Sequence, residues 1–149
     1  MDIADFLTPD RIALDVKPRD KTQFISETAR LFGSLVPALE PAAVETALRA
    51  RERLGSTGLG GGFALPHARI EGLGDYAGLF VRLAKPIDFD AIDGKPIDLA
   101  FVLLIPFETK TPHVAALAVI SRKFRDAARV AKLRKVGTQA AAYEALTAE

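Results

Sequence analysis

The chain has no cysteine, one methionine and only two histidines among its 149 residues. Without thiols there are no disulfides, no cysteine redox chemistry and no thiolate zinc sites. Charge of one sign is also lacking: 20 Lys and Arg stand against 19 Asp and Glu, for a net charge of +1. Bulk electrostatics therefore gives no reason to expect nucleic acid or an acidic membrane as partner. No apolar run approaches the roughly 20 residues of a membrane span. The opening Met1-Asp2-Ile3-Ala4-Asp5 is acidic and leads into no apolar stretch, so it does not read as a signal peptide. These absences predict a cytoplasmic chain without membrane insertion. The composition that remains, 49% hydrophobic and 26% charged, is that of a folded chain with a full core and excludes disorder.

Apolar periodicity predicts an α/β fold. Arg11 to Val16 alternates as a strand, with Ile12, Leu14 and Val16 on one face. Asp20 and Gln23 have the spacing of a capping box for a helix over about Lys21 to Leu35, with Phe24, Ile25, Thr28, Leu31, Phe32 and Leu35 inward. Pro41 suits the first turn of a second helix running to about Arg53, with Val44, Ala47 and Leu48 inward. Phe63 to Pro66 is expected to be extended, Tyr76 to Leu83 to be a strand, and Ile87 to Phe89 to be short and extended. Ile97 to Pro106 is the most apolar segment and reads as a strand buried on both faces. Thr111-Pro112 would open a helix carrying Val114, Leu117, Ile120 and Phe124 inward, and a last helix covers about Thr138 to Ala148. Strands alternate with helices without repeats, which predicts a single α/β domain with a mixed β-sheet flanked by helices.

The densest chemistry lies between Arg51 and Arg69, Arg-Glu-Arg-Leu-Gly-Ser-Thr-Gly-Leu-Gly-Gly-Gly-Phe-Ala-Leu-Pro-His-Ala-Arg. A helix end runs into a glycine loop, then into a short apolar segment and a histidine fixed by a proline. Glycines let the backbone approach a ligand closely, and consecutive free N–H groups can form an anion-binding nest. With Arg51 and the imidazole of His67 beside such a bed, the set suits a phosphoryl group held on histidine.

Arg51-Glu52, Ser56-Thr57-Gly58, Gly60, Gly62, Ala64 and Pro66-His67 resemble the signature of the fructose/mannitol-type EIIA domain of the bacterial phosphotransferase system, above all its nitrogen-regulatory branch. The resemblance continues through Pro86-Ile87-Asp88-Phe89, Ala91-Ile92-Asp93-Gly94 and Pro96-Ile97-Asp98-Leu99 to Pro106 and His113. It implies that His67 is the phosphohistidine, charged by a phosphocarrier protein of the HPr/NPr type, and that Arg51 and His113 share its pocket. At the second histidine the family often continues with leucine, where this chain has Val114. The implied activity is that of a phosphotransferase, a phosphoryl carrier acting mainly in regulation on cytoplasmic regulatory or transporter-associated proteins. A sugar-specific EIIA that hands phosphate to an EIIB domain is the alternative, and a non-catalytic EIIA-like interaction module a further one.

The chemistry of such a site assigns roles. The acceptor must be unprotonated, and histidine, with an ordinary pKa of about 6.5, is largely neutral near pH 7. Arg51 can bond phosphoryl oxygens in pairs without losing its charge. Ser56 and Thr57 hydroxyls and the Gly58 N–H are candidates to complete the phosphate bed. His113, in a helix's first turn, would orient His67 or donate to the phosphate. No metal or cofactor is required. Plainer readings stand beside these: Arg51 as a solvated helix-end charge, Ser56 and Thr57 as loop hydrogen-bonders, His113 as a helix-start residue without chemistry. Arg122, Arg125, Arg129 and Lys132 recur at helical spacing. A nucleic-acid module would show such a face, but balanced charge, Asp126 within the run and the lack of interleaved aromatics favour a solvated face or an acidic protein partner.

Overall fold

The computed structural model describes residues 1–108 and 113–149. After a 3-10 turn at Ile3–Asp5 come β1 (Ile12–Val16), α1 (Lys21–Leu35), α2 (Pro41–Arg53), β2 (Gly58–Gly60), β3 (Phe63–Ala64), β4 (His67–Ile70), β5 (Ala77–Ile87), β6 (Ile97–Pro106), α3 (His113–Phe124), α4 (Ala127–Leu133) and α5 (Gln139–Thr147). One mixed sheet runs β1-β5-β6-β3-β2. β5 and β6 are antiparallel, β1 lies parallel to β5, and both β3 and β4 lie parallel to β6. β3 meets β6 at Leu99 and Ala100, and β4 meets it further along at Leu103 to Pro106.

The sheet separates two apolar layers. On one face Ala100, Val102 and Leu104 of β6 pack with Phe24, Phe32, Val44 and Leu48 of α1 and α2. On the other, Leu99, Phe101, Leu103 and Ile105 pack with Ile3, Phe6, Ile120, Leu133 and Leu146 from the 3-10 turn and α3 to α5. A strand covered on both sides must be apolar at nearly every position. Asp98 is the exception in β6, half-buried and paired with Arg134 at 2.8 Å.

Several local expectations are corrected. Asp15 has a φ of 58° and the β1–β5 register shifts there, so Ile12 and Leu14 face the α3–α5 layer while Val16 faces α1 and α2. A bulge moves the following residues to the opposite face. The Asp20 carboxylate accepts from the Gln23 N–H at 2.8 Å, but the Gln23 side chain accepts from Arg19 N–H rather than from the cap residue itself. The extended segment expected over Phe63 to Pro66 contains β3, a further strand, β4, follows it directly, and β5 runs on through Ile87. In α3 the buried stripe is Ala116, Ile120 and Phe124, and Val114 is exposed because it lies off that four-residue step. The Thr111-Pro112 cap lies outside the described residues. The basic run is not one helix face: Asp126 accepts from the N–H groups of Ala128 and Arg129 and starts α4. Within the run, Arg129 donates to Ala145 and Ala148 carbonyls and Lys123 to that of Ala148, capping the end of α5.

Candidate functional site

His67 opens β4 opposite Leu103 of β6, and the Pro66 carbonyl accepts the Leu103 N–H at 2.9 Å. The two-residue period of a strand puts Ala68 and Ile70 into the α1–α2 core and leaves His67 half-buried and Arg69 exposed on the other side of the strand. α2 packs over β4 and carries Arg51 in its last turn. His113 is the first described residue of α3. Arg51, His67, Arg69 and His113 line one open depression of about 410 Å³, together with Leu54 and Ile105.

Hydrogen bonding assigns the proton on His67. Its Nδ1 lies 2.8 Å from the Leu65 carbonyl oxygen, which only accepts, so Nδ1 carries the hydrogen and Nε2 the lone pair. Arg51 Nε lies 3.4 Å from that Nε2, a long contact, while Arg51 Nη1 donates to the Gly55 carbonyl at 2.9 Å. Burial pushes the His67 pKa below its ordinary value. The bond to Leu65 opposes the shift, and the positive charge of Arg51 and of a protonated His113 adds to it. The site holds a neutral imidazole with one available nitrogen.

The glycine loop behaves differently from a phosphate bed. The Ser56 hydroxyl donates to the Phe89 carbonyl at 2.6 Å and accepts from the Gly58 N–H at 3.0 Å. Thr57 is buried, with its N–H and hydroxyl both on the Glu52 carboxylate. Glu52 in turn pairs with Lys21 at 2.8 Å. Ser56, Thr57 and Gly58 are thus bonded to other groups of the chain, and none of them lines the depression. Gly60, Gly61 and Gly62 have the positive φ of a nest, but the Gly61 N–H donates to Asp93 at 3.0 Å, a carboxylate of the chain itself. The register on β6 sets this nest apart: Phe63 lies opposite Leu99 and His67 opposite Leu103. Four strand residues amount to about 13 Å.

Arg69, expected near the pocket from the sequence, has its Nη2 3.3 Å from His113 Nδ1. One participant escaped the sequence reading: the Leu65 carbonyl, which fixes the His67 tautomer, since no side-chain pattern announces a carbonyl. Among the described residues, no cluster of three His, Asp or Glu side chains is placed to hold a metal ion, and no helix is long and apolar enough to cross a membrane.

The chain is 40% identical over 146 residues to a nitrogen regulatory protein of Bradyrhizobium diazoefficiens, covering 98% of this chain and 95% of that protein. It is 35% identical over 142 residues to one of Pseudomonas aeruginosa, covering 95% and 92%. The crystal structure of nitrogen regulatory protein IIA-Ntr from Neisseria meningitidis superposes with a TM-score of 0.90 at 36% identity, over 97% of this chain and 99% of that one. Residues 5–149 match the model of the phosphoenolpyruvate-dependent sugar phosphotransferase system EIIA 2 family, and the chain belongs to that family.

Proposed function

We propose, from membership of this family, that the chain is a cytoplasmic phosphohistidine carrier: His67 accepts a phosphoryl group on Nε2 from a histidine phosphocarrier of the HPr/NPr type, and the modified site acts mainly in regulation. The observation that carries this reading is the locked His67 tautomer, with its lone pair facing a depression lined by Arg51, Arg69 and His113.

The transfer balances without proton movement. The Nε2 lone pair forms the new N–P bond as the carrier's N–P bond breaks, and that electron pair returns to the carrier's imidazole. The His67 ring becomes cationic, and the Leu65 carbonyl stabilises it through Nδ1–H. Arg51 gives up a long contact to Nε2 and bonds the phosphoryl oxygens instead, stabilising charge where it spreads in the transition state. The hydroxyls of Ser56 and Thr57, already bonded, serve to hold the loop from which Arg51's partner Gly55 projects. Leu54 and Val114, 85% and 66% exposed, and Phe107 give the site's surroundings an apolar surface on which a carrier can dock. The regulatory output is supported by the names of the relatives, which are nitrogen regulatory proteins.

Incubation with the phosphorylated carrier should add one phosphoryl group, lost in acid and kept in alkali, and absent from His67→Ala. Label that survives acid would mean a phosphoester on Ser56 or Thr57 and would overturn the assignment.

A further inference from the structure

We infer that Arg69 is a positioning residue that holds His113 in one tautomer, so that the two histidines of the depression form a matched pair, one acceptor nitrogen and one donor N–H. Arginine has only donors and keeps its proton at any physiological pH. Its Nη2 at 3.3 Å from His113 Nδ1 therefore requires a lone pair on Nδ1, which leaves the hydrogen of neutral His113 on Nε2. His67 is fixed in the opposite sense, with hydrogen on Nδ1 and lone pair on Nε2. One ring can thus attack phosphorus while the other donates to a phosphoryl oxygen, and neither has to exchange a proton first.

The side chains are placed for this by the fold. β4 presents residues 67 and 69 on the same face, and α3 begins at His113, beside them in the depression. Arg69 forms no ion pair among the described residues, so nothing there competes for its guanidinium. A guanidinium spent on a carboxylate would be half neutralised; this one adds a full positive charge to the depression while orienting the second histidine. Arg51 faces the first histidine through Nε. Each imidazole is therefore faced by one arginine, and the arginines come from different elements, α2 and β4.

The assignment rests on the carrier reading for its purpose, but its test can fail separately. Nitrogen-15 spectra of the histidine rings in the unphosphorylated protein, at a pH where both are neutral, should show pyridine-like Nδ1 and pyrrole-like Nε2 for His113 and the reverse for His67. Arg69→Ala should move the His113 pair toward averaged values and leave His67 in place. It should also slow phosphoryl transfer to His67 by roughly fivefold to tenfold, the worth of one positioning hydrogen bond. Arg69→Lys, which still offers a donor, should restore most of both. Circular dichroism melts should be unchanged, since Arg69 is exposed. A His113 ring with hydrogen on Nδ1, or unchanged His113 shifts in Arg69→Ala, overturns the inference. Slower transfer with unchanged shifts would make Arg69 a direct phosphate ligand instead, which also overturns it. Correct tautomers in a protein that takes no phosphoryl group would sink the carrier reading and leave the pairing intact.

Discussion

At the scale of the residue, His67 meets two demands that pull against each other. As the proposed acceptor it must be unprotonated to attack, yet electron-rich enough to do so. Burial and the positive groups around it push its pKa down, while the Leu65 carbonyl pulls electron density into the ring and pushes it up; burial wins. A lowered pKa keeps the ring neutral to more acidic pH than a free histidine. Acceptance of phosphate should therefore stay level as pH falls through about 6.5, the ordinary histidine value, and decline only below it. A rate profile that already falls above that value contradicts this. The linked stability has the same sign: it is complete above the unfolded histidine's pKa and is lost as pH drops through the folded one. Arg51→Ala should slow transfer by about two to three orders of magnitude. Its melt should move little, because among the described residues its side chain bonds only Gly55 and His67. Among single residues, the gathering of Arg51, His67 and His113 around one depression was legible through the resemblance of the segments that carry them. Ser56 and Thr57 were not, since a hydroxyl before glycine looks the same whether it faces a ligand or a backbone carbonyl.

At the scale of the element, the loop from α2 to β4 is held by Glu52, whose side chain is 6% exposed and pairs with Lys21 while accepting from Thr57. Removing one partner of such a pair leaves the others unsatisfied. Glu52→Ala should cost about 3 kcal/mol in urea unfolding, and Glu52→Gln distinctly less, since an amide oxygen can still accept from the Thr57 N–H. Equal losses would mean the carboxylate's charge and bonds are not what holds the loop. In the sheet, a Cβ on Gly78 would stand 2.7 Å from the Phe101 ring and 2.9 Å from the Phe6 carbonyl. Gly78→Ala should destabilise by about 1–3 kcal/mol through overpacking, read as a lower melting temperature. The starts of α1 and α2 and the span of β6 were readable because Asp20, Pro41 and Pro106 mark boundaries by local chemistry. The face switch in β1 was not, because it depends on the left-handed backbone at Asp15, which a strand pattern conceals. α4 was hidden for a related reason: basic residues keep helical spacing across Asp126, although the chain breaks there to cap a new helix.

At the scale of the whole molecule, the sheet brings α2, β4 and α3 to one end and gathers the cations of the depression where the phosphoryl group would sit. Modification adds nearly two negative charges there, enough to cancel Arg51 and Arg69. A protein docking over the depression should then distinguish the two forms, favouring the unphosphorylated one. Affinity measured for a captured regulatory partner should fall on phosphorylation and be retained in His67→Ala. Equal binding by all three proteins would contradict a switch, and capture of sugar-specific EIIB proteins alone would favour the transport reading. The central claim is narrower than any of these, that the phosphoryl group sits on Nε2 of His67, and it is tested most directly on protein with ¹⁵N-labelled histidines. After phosphorylation by the carrier, ³¹P–¹⁵N coupling should appear on Nε2 of His67 alone, with its Nδ1 still protonated. Coupling to Nδ1, to His113, or to no histidine nitrogen at all would contradict it.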